Sequence, residues 1–302
     1  MIGDVLRRTG GIDRLLVAVG DDGVALTSED GVFWDVESTP VSTALNDVIW
    51  AADLGIFIAV GSSGVVLTSF DGRSWTQRTT PNTGNIRGVA WAPSLELAVA
   101  VTMSGNHSMT SPDGVTWTSM SGLPSGLPTN VPLTSVDWSE SQGVFVVVAS
   151  QGFDYFTSTD GFAWTSRSGL SESQSVDWFA DPERWIVCRT SNIAWASNIV
   201  AFTNVTLSPT NQTPQDATYS PELGLFAVAT STGRIYTSPT GEGSWTERAN
   251  LPNFRASIEW SSQAGLFIVG SSASDPHQTS PDGINWTERS LPGGVGTMWG
   301  IA

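Results

Sequence analysis

The sequence predicts an all-β chain folded as a seven-bladed β-propeller, each blade a four-stranded antiparallel sheet. Three observations carry that expectation. A short box recurs down the chain, an aromatic precedes each box at a near-constant distance, and four strand-like segments fill each repeat between turn residues.

The box reads Thr-Ser-x-Asp-Gly-x-x-Trp. Five copies are complete: Thr27–Trp34, Thr68–Trp75, Thr110–Trp117, Thr157–Trp164 and Thr279–Trp286. A sixth, Thr237–Trp245, has Thr240 in the Asp slot and one extra residue. A seventh, Ala196–Phe202, has lost the pattern and carries Phe202 in place of Trp. Asp beside Gly suits a tight turn, because the carboxylate accepts backbone N–H bonds and Gly tolerates positive φ. Asp30, Asp71, Asp113, Asp160 and Asp282 are therefore read as structural, together with Trp34, Trp75, Trp117, Trp164, Trp245 and Trp286. Each Trp is expected to open the last strand and fold back between neighbouring sheets.

The second observation is the series Trp50, Trp91, Trp138, Trp178, Tyr219, Trp260 and Trp299, each inside a short apolar segment. From each of the first six to the following box aromatic the spacing is 24 to 26 residues. Such constancy marks a rigid unit; the variable stretches, from box to next aromatic, are loops. Of 14 Trp, all but Trp185 and Trp195 occupy one of the two series, which assigns them to packing.

Within the second repeat the strands read Leu45–Trp50, Ile56–Val60, Val65–Ser69 and Ser74–Arg78, separated by Gly61-Ser62-Ser63-Gly64 and Asp71-Gly72. The first repeat lacks an opening strand. Val295–Gly300 matches one, so the chain's end is expected to complete the first blade and close the ring. One domain over 1–302 results, with blades near 10–38 plus 293–302, 39–80, 81–121, 122–168, 169–207, 208–249 and 250–292. Arg78, Arg167, Arg248 and Arg289 fall at equivalent places in the outermost strands and read as a charged rim.

The box resembles the Asp-box, or BNR (sialidase-type), repeat of β-propellers, over nearly the whole chain. The resemblance implies the fold, with the box a structural turn away from a substrate face. It implies function weakly, because sialidases, other glycoside hydrolases, sorting receptors, photosystem II assembly factors and bacteriophage particle proteins share the repeat. A sialidase site would need an Arg cluster and a Tyr–Glu pair. Here Tyr219 fills a packing slot, the Arg-Ile-Pro signature is absent, and sialidases resemble six-bladed rings.

Composition narrows the partners. The 302 residues are 40% hydrophobic, enough for a large core, and only 14% charged. All 13 basic residues are Arg, and 29 acids bring the net charge to -16. That balance opposes binding to nucleic acid or an anionic membrane surface. Apolar runs such as Gly143–Ala149 are too short to span a bilayer, and the start lacks the apolar stretch of a secretory signal. A single Cys188 forms no internal disulfide and reads as a small buried residue.

Candidates for chemistry are few. Asp47, Asp137, Asp177, Asp216 and Glu259 sit beside the strand aromatics, where first strands line a central channel. They read either as solvated lining or as a cation site or acid/base pair, with Asp137 and Asp177 the leading binding candidates. His107 and His277 fall in second-to-third-strand loops of non-adjacent blades, on the face opposite the boxes where propellers usually bind. They are too far apart for a shared metal and are expected to be exposed. Leu123 and Leu127 lie in the longest insertion, Met120–Pro132, a possible contact loop. No metal or cofactor is expected.

The resulting expectation is a non-enzymatic structural or recognition propeller. Its setting would be a bacteriophage virion, extracellular after lysis, contacting other virion proteins or a host surface glycan or protein, with self-association possible. The alternatives are a glycoside hydrolase or lectin-like carbohydrate-binding propeller, and a cellular assembly factor resembling the photosystem II type; the alternative location is the cytoplasm.

Overall fold

The structure is a computed structural model. It describes residues 15–302 except 82, 104–107, 121–130, 153, 252–256, 271–275 and 294–296. Its strands form seven four-stranded antiparallel sheets, the all-β propeller that the repeats predict.

The second blade shows how a repeat becomes a sheet. Its strands Leu45–Ala51, Ile56–Gly61, Val66–Ser69 and Thr76–Arg78 lie side by side in chain order. The second strand is buried along its whole length, because neighbouring blades cover both faces, and its residues are correspondingly apolar. The last strand is mostly exposed and polar. Core therefore declines from the middle of each blade to its rim.

The last strand begins one residue after the box Trp, not at or before it. The indole belongs to the turn: Trp75 Nε1 donates to the Gly72 carbonyl at 2.9 Å, Trp117 to Gly114 at 3.0 Å and Trp164 to Gly161 at 3.2 Å. The box carboxylate organises the same turn. Asp71 Oδ1 accepts from the backbone N–H of Arg73 at 2.9 Å and of Ser74 at 2.7 Å, and from the Ser69 hydroxyl at 3.0 Å. Asp30, Asp113, Asp160 and Asp282 repeat the arrangement. In the altered boxes Thr240 and Asn198 each accept one N–H instead of two.

The box Gly does more than turn the chain. At Gly161, φ is +77° and an added Cβ would come within 2.5 Å of Leu97 in the preceding blade. Gly31, Gly72 and Gly114 press in the same way on Ile268, Val17 and Ile58. Gly143 has φ of +60° but open space around it. Gly161→Ala is expected to lower stability by about 3 kcal/mol, from left-handed strain plus overpacking, against about 1 kcal/mol for Gly143→Ala. Urea midpoints of the two variants check the difference.

Five of the seven inner-strand aromatics stack on an aromatic directly across the ladder in the second strand, whereas Trp91 faces Ala98. Trp50–Phe57, Trp138–Phe145, Trp178–Trp185, Tyr219–Phe226 and Trp260–Phe267 have ring centroids 4.5 to 5.0 Å apart. The box Trp then packs on the second-strand ring, as Trp164 does on Phe145 at 6.2 Å. Trp185 is thus part of the packing system. Trp195 lies under the Arg184 guanidinium, 4.7 Å from its carbon. In the blade that lost its box, the Tyr155 hydroxyl of the preceding blade donates to the Ile199 carbonyl at 2.7 Å, and its ring meets Phe202 edge-on.

The rim arginines are bonded, not free-standing. Arg78, Arg167, Arg248 and Arg289 each donate Nε to the hydroxyl of their own box Thr, at 2.8 to 3.1 Å. The chain's last strand, Met298–Ile301, pairs with Leu16–Gly20 and completes the first blade. Val17 and Ala302 exchange both backbone bonds at 2.8 Å.

Candidate functional site: the central channel

Seven inner strands line the channel: Leu45–Ala51, Ile86–Ala92, Leu133–Ser139, Ser173–Phe179, Pro214–Ser220, Ile258–Ser261 and Met298–Ile301. Residues one and three places before each strand aromatic share a face, since side chains alternate along a strand. Both positions look inward, and all five candidate acids occupy them. Asp47 and Asp216 are three places before the aromatic. Asp137, Asp177 and Glu259 are one place before it.

An innermost strand has no partner on its channel side, so part of its backbone N–H row needs other acceptors. The acids supply them. Asp47 accepts from its own neighbour Val48 at 2.9 Å and, through its second oxygen, from Val89 of the next blade at 2.9 Å. Asp216 does the same with Ala217 at 3.0 Å and Ile258 at 2.9 Å. Asp137 takes Trp138 and Trp178, both at 2.7 Å. Hydroxyls act in equivalent places: Ser135 accepts from Val176 at 3.3 Å, and Thr218 from Trp260 at 3.0 Å. Asp47, Asp137 and Asp216 are therefore blade-to-blade staples, a role shared with Ser135 and Thr218 that the sequence reading did not single out.

Asp177 is bonded differently. Its carboxylate accepts from the Ser175 hydroxyl at 3.0 Å, and no backbone bond to it is present among the described residues. Glu259 accepts from Trp260 at 3.0 Å and from the Thr218 hydroxyl at 3.3 Å.

Enclosure and crowding raise the proton affinity of the set. The five acids are half-buried, so water reaches them, yet protein surrounds them on most sides. Desolvation lifts Asp47 to about 7 against the pull of its two backbone bonds. Asp216 also reaches about 7, and Glu259 about 8, where desolvation is reinforced by the Asp216 charge. Asp177 goes well above the usual range through desolvation and the charges of Asp216 and Asp137, and burial raises Asp137. No cluster of three or more metal-ligating side chains occurs among the described residues.

Asp137→Ala is expected to strand two N–H groups at one blade junction and cost about 2 kcal/mol, while Asp137→Thr should retain most of the stability because Thr218 already performs that task. Thermal melts of both variants at pH 5 test the staple.

His277 corrects an expectation. It does not sit in an exposed loop but opens the strand His277–Ser280 and is wholly buried. Its Nε2 lies 3.2 Å from Trp34 Nε1 and 3.1 Å from the Gly31 carbonyl, so it takes the place of the internal indole–glycine bond of the second, third and fourth boxes. Burial lowers its proton affinity. As a structural wedge between the seventh and first blades it is unavailable as a surface binding residue. His107, Leu123 and Leu127 lie outside the described residues. Cys188 is fully buried.

Solved structures share this fold over most of the chain. YCF48 from Cyanidioschyzon merolae superposes with a TM-score of 0.64 at 17% identity, over 87% of this chain and 90% of that one. A structure of YCF48 bound to a D1 peptide gives 0.65 at 19% identity, over 94% and 91%. A candidate 6-phosphogluconolactonase from Bacteroides uniformis gives 0.71 at 10% identity, over 95% and 98%. The likeness is one of fold. No family model and no curated protein matches the chain.

Proposed function

We propose that this chain is a non-catalytic propeller of the Asp-box type that recognises another protein. The observation that carries the reading is the commitment of three of the five channel carboxylates. Asp47, Asp137 and Asp216 have both oxygens engaged by backbone N–H groups of two blades. A glycosidase acid must offer its proton to a leaving group, and its partner must face the sugar or a water. Carboxylates held as backbone acceptors do neither. A structural neighbour bound to a D1 peptide supports protein recognition on this fold.

A panel of chromogenic glycosides tests the reading, with a glycan array alongside. The expected result is no turnover. Hydrolysis abolished by Asp177→Asn, the acid without backbone bonds, would establish the enzyme. Binding to glycans alone would move the reading to a lectin. The virion setting rests on the Lys-free composition with few charges. Co-sedimentation of the protein with phage particles in a lysate tests it.

A further inference from the structure

We propose that the face carrying the box turns docks a basic, amphipathic protein surface, with Phe33, Phe70, Phe162 and Ile284 as its apolar contacts. The proposal rests on the protein-recognition reading and adds the face and the partner's chemistry.

Connectivity puts these side chains on one face. In every blade the first and third strands run the same way, so first-to-second and third-to-fourth turns emerge together. Cross-blade bonds join them there: Gln263 Nε2 reaches the Glu29 carbonyl at 3.0 Å, and Arg73 lies 3.8 Å from the Glu29 carboxylate. The first-to-second turn of the seventh blade and the box turns of the first and second blades thus adjoin along an arc of the face that bears Ile284, Phe33 and Phe70.

Large apolar side chains are concentrated on this face. Phe33 is 78% exposed, Phe70 67%, Ile284 47% and Phe162 44%. On the opposite face, among the described residues, Met103 is the one large hydrophobic side chain that is exposed. The turn itself does not require apolar residues. It uses the backbone N–H groups of the two positions after Gly, and Arg73, Ser74, Thr116 and Asn285 fill those positions in other copies. The slot of Phe70 holds Glu29, Pro112, Thr159 and Pro281 elsewhere. Exposed rings in an arc, without a folding reason, mark a surface that is covered in use.

Charge selects what covers it. Glu29, Glu96, Glu140, Asp181, Glu183 and Glu222 are exposed in the turns of this face, beside the box carboxylates. Its described cations are Arg73 and Arg184, and Arg184 is bonded to Glu242 at 2.6 Å. A second copy would bring the same acids against them, in a chain of net charge -16. Nucleic acid and anionic lipid are repelled for the same reason. A surface with Lys or Arg around an apolar stripe matches both the rings and the carboxylates.

The test uses the full chain and three peptides of equal length: an amphipathic Lys/Leu helix, its Glu/Leu counterpart and a Lys/Ser control. Titration calorimetry should show binding of the Lys/Leu peptide alone. Phe33→Ser with Phe70→Ser, and separately Ile284→Ser, should weaken it by about tenfold or more, with melting temperatures unchanged. Met103→Ser should leave it as it was. Lys/Leu binding that ignores the box-face variants would overturn the face but leave protein recognition standing. Equal binding of Glu/Leu or Lys/Ser, or no binding at all, would overturn the partner's chemistry. Self-association in sedimentation that Phe33→Ser abolishes would make a second copy the occupant and overturn the proposal. Glycoside turnover would instead remove the reading beneath it.

Discussion

Deletion of residues 298–302 is expected to abolish the single cooperative melt and leave protein that aggregates or exchanges strands between chains. Met298 and Ile301 are almost fully buried, and burying each contributes about 2 kcal/mol. The deletion also exposes the ladder edge of Leu16–Gly20, whose partners are Met298, Gly300 and Ile301. Loss of this size approaches the whole net stability of an ordinary domain, about 5–15 kcal/mol. An open edge with both faces apolar is also a template for another chain. Size-exclusion chromatography and circular dichroism of the truncated chain check the outcome. A monomer melting within a few degrees of the full chain would show that the ring does not depend on its closing strand.

Stability is expected to peak near pH 4–5 and to fall toward pH 8. Asp47, Asp216 and Glu259 have folded values of about 7, 7 and 8, above those of the unfolded chain. Between the two values the folded state holds more protons than the unfolded one, so stability declines as pH rises through that window. Asp137 and Asp177 shift in the same direction. The box acids act oppositely. Asp282 is held at about 2, chiefly by the Asn285 backbone N–H, so its contribution is present above the ordinary carboxylate range and lost as pH falls toward 2. His277, lowered by burial, also favours higher pH, but it is one group against five. Urea midpoints from pH 3 to pH 8 should trace this dome. Asp216→Ser should flatten its alkaline side, because Ser135, Ser175 and Ser257 already occupy the equivalent place on their strands. An unchanged slope would mean that Asp216 is ionised in the folded ring across this range.

The channel and the box face divide the molecule's polar chemistry by purpose. Inside, Asp47, Asp137, Asp216 and Glu259 accept backbone N–H groups that have no strand partner on the channel side. Outside, carboxylates shape turns and leave the neighbouring side chains free. That freedom permits Phe33 in one copy where others have Ser74 or Asn285, and Ile284 in one copy where another has Arg73.

The repeat, the number of blades and the use of Asp and Gly in the turn were legible in the residues alone. Those facts reside in contiguous residues: a carboxylate, its hydroxyl partner and the N–H groups it accepts all fall within a few positions. Closure by the last strand was also readable, since Trp299 continues the aromatic series. The tertiary structure alone decided what the channel acids do. Asp47 meets Val89 and Asp137 meets Trp178 across 42 and 41 residues, and such bonds depend on how neighbouring blades are offset, which no local pattern records. It also decided that His277 is a wedge, because its partner Trp34 stands 243 residues away and becomes a neighbour only when the ring closes.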